Sequence, residues 1–216
     1  ELSVREIEDA DWETAWKSHF SLLRVGDNLV IMPSWIDYEP ADGEVVIELD
    51  PGMAFGTGYH PTTRICLEAL EKHLKPGMAV LDLGAGSGIL SMAASRLGAS
   101  SVLALDVDPI AVKAARRNIR AAGLKGTVRP ARGTLPNQLA AQDHFDLAVS
   151  NISSKIVGEK APHLYDILKP GGLLVAAGGV DTQQSELEAA LKAVGFSHLD
   201  TAQVDEWVGL VMSKAG

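Results

Sequence analysis

A chain of 216 residues, 46% of them hydrophobic and 22% charged, is long enough to bury a sizeable core without staples. Its single cysteine, Cys66, excludes an internal disulfide framework and points to a reducing, cytoplasmic setting. The formal net charge of -9 argues against a broad phosphate-binding surface, so no direct nucleic-acid binding is expected; the lack of a long apolar run or a signal-peptide pattern predicts a soluble, unexported protein with no membrane partner.

Residues 2–20 read as a short polar lead followed by a helix on which Trp12, Trp16 and Phe20 recur four apart, a spacing that marks a packing face. Apolar runs at 29–32 and 45–49 predict two short strands on either side of the turn-rich Pro40-Ala41-Asp42-Gly43, which makes a small β appendage. From Thr62 onward helices and strands alternate. The pattern predicts helix 62–74, strand 78–83, helix 89–97, strand 101–105, helix 109–122 and strand 127–131. It continues with strand 145–150, helix 156–168, strand 173–177, helix 182–194, and two final strands at 199–204 and 207–213.

Pro109 suits a helix first turn, while Lys75-Pro76-Gly77 and Lys169-Pro170-Gly171-Gly172 read as helix stops. Such alternation means a mostly parallel sheet covered by helices on both faces. The last two strands have no helix between them and should pair antiparallel. Cys66 falls in the helical pattern between Ile65 and Leu67 and reads as a small hydrophobe. The cations Lys113, Arg116, Arg117, Arg120 and Lys125 read as a solvated helix face.

Chemistry concentrates where the strand at 78–83 runs into Asp82-Leu83-Gly84-Ala85-Gly86-Ser87-Gly88. A glycine-rich turn between strand and helix, with Asp106 ending the next strand about twenty residues later, is the geometry of a nucleoside-binding α/β unit. The third glycine comes one position earlier than in the dinucleotide fingerprint, with Ile89 in its place. The turn instead resembles that of class I S-adenosylmethionine-dependent methyltransferases, in which Asp106 would accept hydrogen bonds from both ribose hydroxyls. The alternative is an ordinary glycine-containing turn with no ligand. Independently, the Phe55–Thr63 loop is rich in glycine and precedes a helix start at Pro61-Thr62-Thr63, whose free amide donors suit a carboxylate. No set of side chains has the spacing of a metal site.

The loop Asp50-Pro-Gly-Met-Ala-Phe-Gly-Thr-Gly-Tyr-His-Pro-Thr-Thr63 is more specific than the glycine turn. Together with the glycine turn through Leu90, Leu105-Asp-Val-Asp-Pro109, Asn151-Ile152 and Glu206-Trp207, it resembles the ribosomal protein L11 methyltransferase family along nearly the whole chain. The resemblance implies a Rossmann-like class I methyltransferase: a seven-stranded, mostly parallel sheet with a carboxyl-terminal antiparallel hairpin. It implies S-adenosylmethionine as cofactor, S-adenosylhomocysteine as product, and lysine or amino-terminal amines of a basic ribosomal protein as acceptors, with the enzyme a monomer. It also divides the chain into a linker helix and small β appendage at 1–50 and a methyltransferase domain at 51–216, with the family's amino-terminal recognition domain expected to be absent from this sequence.

The resemblance places Thr63, Gly84, Asp106 and Asn151 among cofactor contacts, with Gly86 in the same turn and Phe55, Thr57 and His60 from the loop. His60 is equally readable as a structural hydrogen-bonding residue. Asn151 would also orient the amine through its side-chain oxygen; simple capping of the next helix is the other reading. The sequence departs from the family's usual pattern at Ser154, where a small apolar residue is usual, and at Gly178-Gly179-Val180. These departures bear on the substrate: another protein, an RNA base or a small amine are alternatives, as is a cofactor-binding module without catalysis.

Overall fold

The computed structural model describes residues 21–50 and 58–216. The predicted helix at 2–20, with Trp12, Trp16 and Phe20, lies outside the described residues, as do Phe55 and Thr57. Ten strands are described. β1 (Leu23–Val25), β2 (Leu29–Met32) and β3 (Val45–Glu48) form a small sheet, and β4 (Ala79–Leu83), β5 (Ser101–Asp106), β6 (Val128–Arg132), β7 (Phe145–Asn151), β8 (Leu168–Val180), β9 (Phe196–Val204) and β10 (Trp207–Lys214) form a large one. The large sheet runs β6-β5-β4-β7-β8-β10-β9. Its first five members are parallel, and β10 inserts antiparallel between β8 and β9. The expected seven-stranded sheet with a terminal hairpin is therefore present.

All five residues of β4 are buried, which a central parallel strand covered on both faces requires. Helices α1 (Pro61–His73), α2 (Ile89–Arg96) and α3 (Pro109–Ala121) lie over one face with the small sheet; their apolar residues, from Val25 and Ile47 through Leu70, Ile89 and Ile119, form one continuous core. Helices α4 (Ser154–Ile167) and α5 (Gln184–Ala193) close the other face around Leu81, Leu105, Ala148, Leu164 and Leu191. Cys66 is fully buried, and burial pushes its thiol well above the usual range, in keeping with a packing residue. Lys113, Arg116, Arg117, Arg120 and Lys125 are exposed on or just beyond α3, which Asp108 caps by accepting from the Ile110 amide at 2.8 Å.

Several expectations are corrected. The strand predicted at 173–177 begins at Leu168: α4 ends at Ile167, and Leu168 already pairs with Phe145. Lys169-Pro170-Gly171-Gly172 is a register shift within β8, which resumes pairing at Leu173 opposite Leu147. The helix predicted from 182 opens as a 3-10 turn, Asp181–Gln183, before α5 proper. Helix α4 starts at Ser154, two residues earlier than its apolar periodicity suggests, because Ser153 caps it by accepting from the Ile156 amide. Strand β1 is too short to register as a pattern. β2 and β3 pair in parallel, with the connection between them tied down by Tyr38, Arg24 and Glu44. Among the described residues no helix is long and apolar enough to cross a membrane.

Candidate cofactor cleft and acceptor site

The carboxyl ends of β4, β5 and β7 meet in a cleft of about 530 Å³ whose lining includes Gly84, Gly86, Asp106, Thr134, Asn151 and Ile156. A ligand site at strand ends where the strand order reverses follows from the topology, since the helices leaving β4 and β7 pass to opposite faces. The turn after β4 folds back over β5, with the amides of Gly84 and Ala85 both donating to the Leu105 carbonyl at 2.8 and 3.0 Å. Gly84 has φ +84, and a Cβ there would overlap Cγ2 of Ile152, so only a bare backbone lets the β4 turn and the β7 loop close together.

Asp106 is oriented by two backbone amides, Gly86 donating to Oδ2 at 2.8 Å and Asp108 to Oδ1 at 2.9 Å. Each carboxylate oxygen retains acceptor capacity toward the cleft. Asn151 donates from Nδ2 to Oγ1 of fully buried Thr63 at 3.2 Å, which joins β7 to the start of α1. One of the two Nδ2 hydrogens is thereby used, and Oδ1 makes no hydrogen bond among the described residues. His60 caps α1: its Nδ1 accepts from the Thr62 amide and lies 2.8 Å from Thr62 Oγ1, with the ring edge-on to Trp207 at 4.5 Å.

Gly84, Gly86, Asp106 and Asn151 thus line one cleft, Thr63 reaches it through Asn151, and His60 stands at the helix cap and does not line it. Further lining residues were not singled out from the sequence. Val107 and Ile110 are more than 60% exposed although apolar, as expected of side chains that await an apolar ligand surface, and Thr134 enters from the loop after β6. The sequence signal for Val107 and Ile110 is their position just after Asp106, with Val107 inside the Leu105–Pro109 run that carries the resemblance. Thr134 carries none.

Beneath the turn, Asp82 is fully buried; Oδ2 accepts from Ser91 Oγ at 2.6 Å, and Oδ1 has no partner among the described residues. Burial pushes its carboxyl up to about 6, against the opposing pull of the Ser91 hydrogen bonds and with a smaller push from the Asp106 charge. The folded protein therefore holds this proton to a higher pH than the unfolded chain does. Asp82 makes stability fall as pH rises from its ordinary value of 3.8 to about 6, and level off above. The full term is on the order of 3 kcal/mol at neutral pH. Asp82→Asn keeps an acceptor for Ser91 but leaves an unpaired amide, so a net gain of about 1–2 kcal/mol is expected at pH 7 and none at pH 4. Urea unfolding at the two pH values checks this, and equal effects at both would contradict the assignment.

The sheet order, the terminal hairpin and the glycine turn over an oriented carboxylate define a Rossmann-like methyltransferase. A crystal structure described as a ribosomal protein L11 methylase from Lactobacillus delbrueckii subsp. bulgaricus superposes with a TM-score of 0.82 at 32% identity, covering 91% of this chain and all of that one. The family profile "Ribosomal protein L11 methyltransferase" matches residues 1–215. Proteins named ribosomal protein L11 methyltransferase are 46% identical in Desulfosudis oleivorans, over 99% of this chain and 71% of theirs, and 44% identical in Chloroflexus aurantiacus, over 97% and 71%. The chain belongs to the ribosomal protein L11 methyltransferase family.

Proposed function

We propose that the protein transfers methyl groups from S-adenosylmethionine to amines of ribosomal protein L11, and that these are lysine ε-amines or the amino-terminal α-amine. The observation that carries this reading is the cleft itself: a bare glycine turn, a carboxylate held by two amides, and an Asn151 anchored through Nδ2 to Thr63. Family membership supplies the acceptor. The residues fit the cofactor, since Asp106 has two oriented oxygens for a vicinal diol, and Val107 and Ile110 offer apolar surface for a base.

S-adenosylmethionine, when bound, supplies an electrophilic methyl carbon on a sulfonium. The chain's own residues bind and orient. Asp106 holds the ribose, and Gly84 and Gly86 leave room for the amino-acid moiety. Thr63 fixes Asn151 so that Oδ1 accepts from the acceptor nitrogen and aims its lone pair. A lysine with an ordinary pKa near 10.4 must reach the site neutral, by desolvation or by loss of its proton through water. In this reading residues 51–216 carry the chemistry and 1–50 attach to them. The chain works as a monomer in the cytoplasm, and its net charge of -9 favours a basic partner.

Transfer of a labelled methyl group into purified ribosomal protein L11, with the modified residues located by mass spectrometry, tests the proposal. Cofactor binding without transfer would make the chain a non-catalytic module, and label in RNA or a free amine would reassign the acceptor. Asn151→Ala is expected to lower kcat on the order of a hundredfold while cofactor Kd changes far less. The reverse split would assign Asn151 to the cofactor alone.

A further inference from the structure

A second groove, of about 520 Å³, lies between the amino-terminal halves of α4 and α5. It shares only Glu159 with the cofactor cleft, and neither Asp106 nor Asn151 lines it, so its occupant is not the reacting amine. Its floor is apolar, with Leu187 and Ala190 on α5 and Gly158 on α4. Its acceptors are the carboxylates of Glu159 and Glu186, the amide oxygen of Gln183 and the hydroxyl of Ser154, beside the donors of Lys155 and of the Gln183 amide.

Ser154 is the informative member. It is 8% exposed and lines the groove, yet its hydroxyl makes no hydrogen bond among the described residues. Gln183 Oε1 stands close by, since both it and Ser154 Oγ approach the position a Cβ on Gly179 would take. Neither Glu159 nor Glu186 forms an ion pair among the described residues; the salt bridge on α5 is Lys192–Glu188. Lys155, one turn before Glu159, is the single cation on the rim and is not within ion-pair distance of either carboxylate. Glu186 also meets the amino-terminal dipole of α5, which attracts anions, but the lining carries two carboxylates against one ammonium. An unneutralised acidic rim above an apolar floor matches a lysine side chain, whose stem lies on apolar surface while its ammonium donates three hydrogen bonds.

We propose that this groove seats a second lysine of the acceptor protein, close to the amine being methylated, and that Glu186, Glu159, Ser154 and Gln183 thereby select lysine-flanked acceptors. The proposal rests on the protein-amine reading above. Glu186 and Ser154 line the groove without lining the cofactor cleft, so their variants separate the two sites.

The test is steady-state methyl transfer to ribosomal protein L11 by Glu186→Gln and by Glu186→Gln/Ser154→Ala, with cofactor Kd and the salt dependence of KM measured alongside. Glu186→Gln is expected to raise acceptor KM about fivefold and to flatten its rise with salt, the double variant to raise it further, and cofactor Kd to stay within about twofold. An acceptor KM and salt dependence equal to wild type in both variants overturns the groove while leaving the methyl-transfer reading intact. Should wild type bind cofactor yet methylate no protein amine, that reading fails, and titration of isotope-labelled chain with a dilysine peptide decides the groove separately. Amide shifts at Leu187 and Ala190 support it. Shifts there with inorganic phosphate and not with the peptide overturn it.

Discussion

Replacing Asp106 with alanine is expected to weaken S-adenosylmethionine binding by about 2–3 kcal/mol, roughly a hundredfold in Kd, by removing two charge-assisted hydrogen bonds. The geometry adds a second loss. In the folded protein the carboxylate holds the Gly86 and Asp108 amides at 2.8 and 2.9 Å, so alanine also frees the glycine turn and the start of α3. Asp106→Asn separates the two effects: its one oxygen can keep one amide but cannot accept from both sides, so an intermediate affinity is expected. Isothermal titration of the three proteins measures this, and an Asp106→Ala Kd equal to wild type would remove Asp106 from the cofactor site.

Gly178→Ala is expected to destabilise the fold by about 3 kcal/mol or more and to abolish transfer at the same time. Gly178 has φ +102, which costs an alanine on the order of 1–2 kcal/mol before any contact is counted. A Cβ there would overlap the Ile152 carbonyl oxygen and lie 2.8 Å from its carbonyl carbon and 3.0 Å from its nitrogen. Backbone cannot swing aside as a flexible side chain does. The β7 loop would have to move, and with it Asn151 and the Ile152 methyl that rests against Gly84. Urea unfolding and methyl-transfer assays together check the pairing. Loss of stability with normal turnover would show that the loop relaxes without disturbing Asn151.

The two substitutions stand at opposite ends of what could be foreseen from the chain alone. Asp106 is legible because its meaning is local: a strand, a glycine turn, a helix and a second strand within about thirty residues admit few arrangements. Gly178 is not. The sequence marks it only as part of a departure from the family's usual run, just past the strand expected at 173–177, and its requirement for glycine arises from Ile152, on another strand's loop. Asn151 is intermediate. Its place at a strand end follows from periodicity, but the anchoring of its amide depends on Thr63, 88 residues earlier. His60 was open between ligand and structural roles, and the structure places it as the cap of α1 against Trp207.

The same division holds for the fold. By itself the sequence determined the alternation of strands and helices, the terminal hairpin, the glycine turn with its paired acid, and the burial of Cys66, because each is written in hydrophobic periodicity or turn chemistry over a few residues. Tertiary structure alone decided the parallel pairing of β2 with β3, the continuation of β8 through Lys169-Pro170-Gly171-Gly172, the contact of Gly178 with Ile152, and the groove between α4 and α5. These depend on which surfaces meet after the chain has folded back on itself. Local preference is blind to a partner that sequence separation places far away and packing brings within a few ångströms.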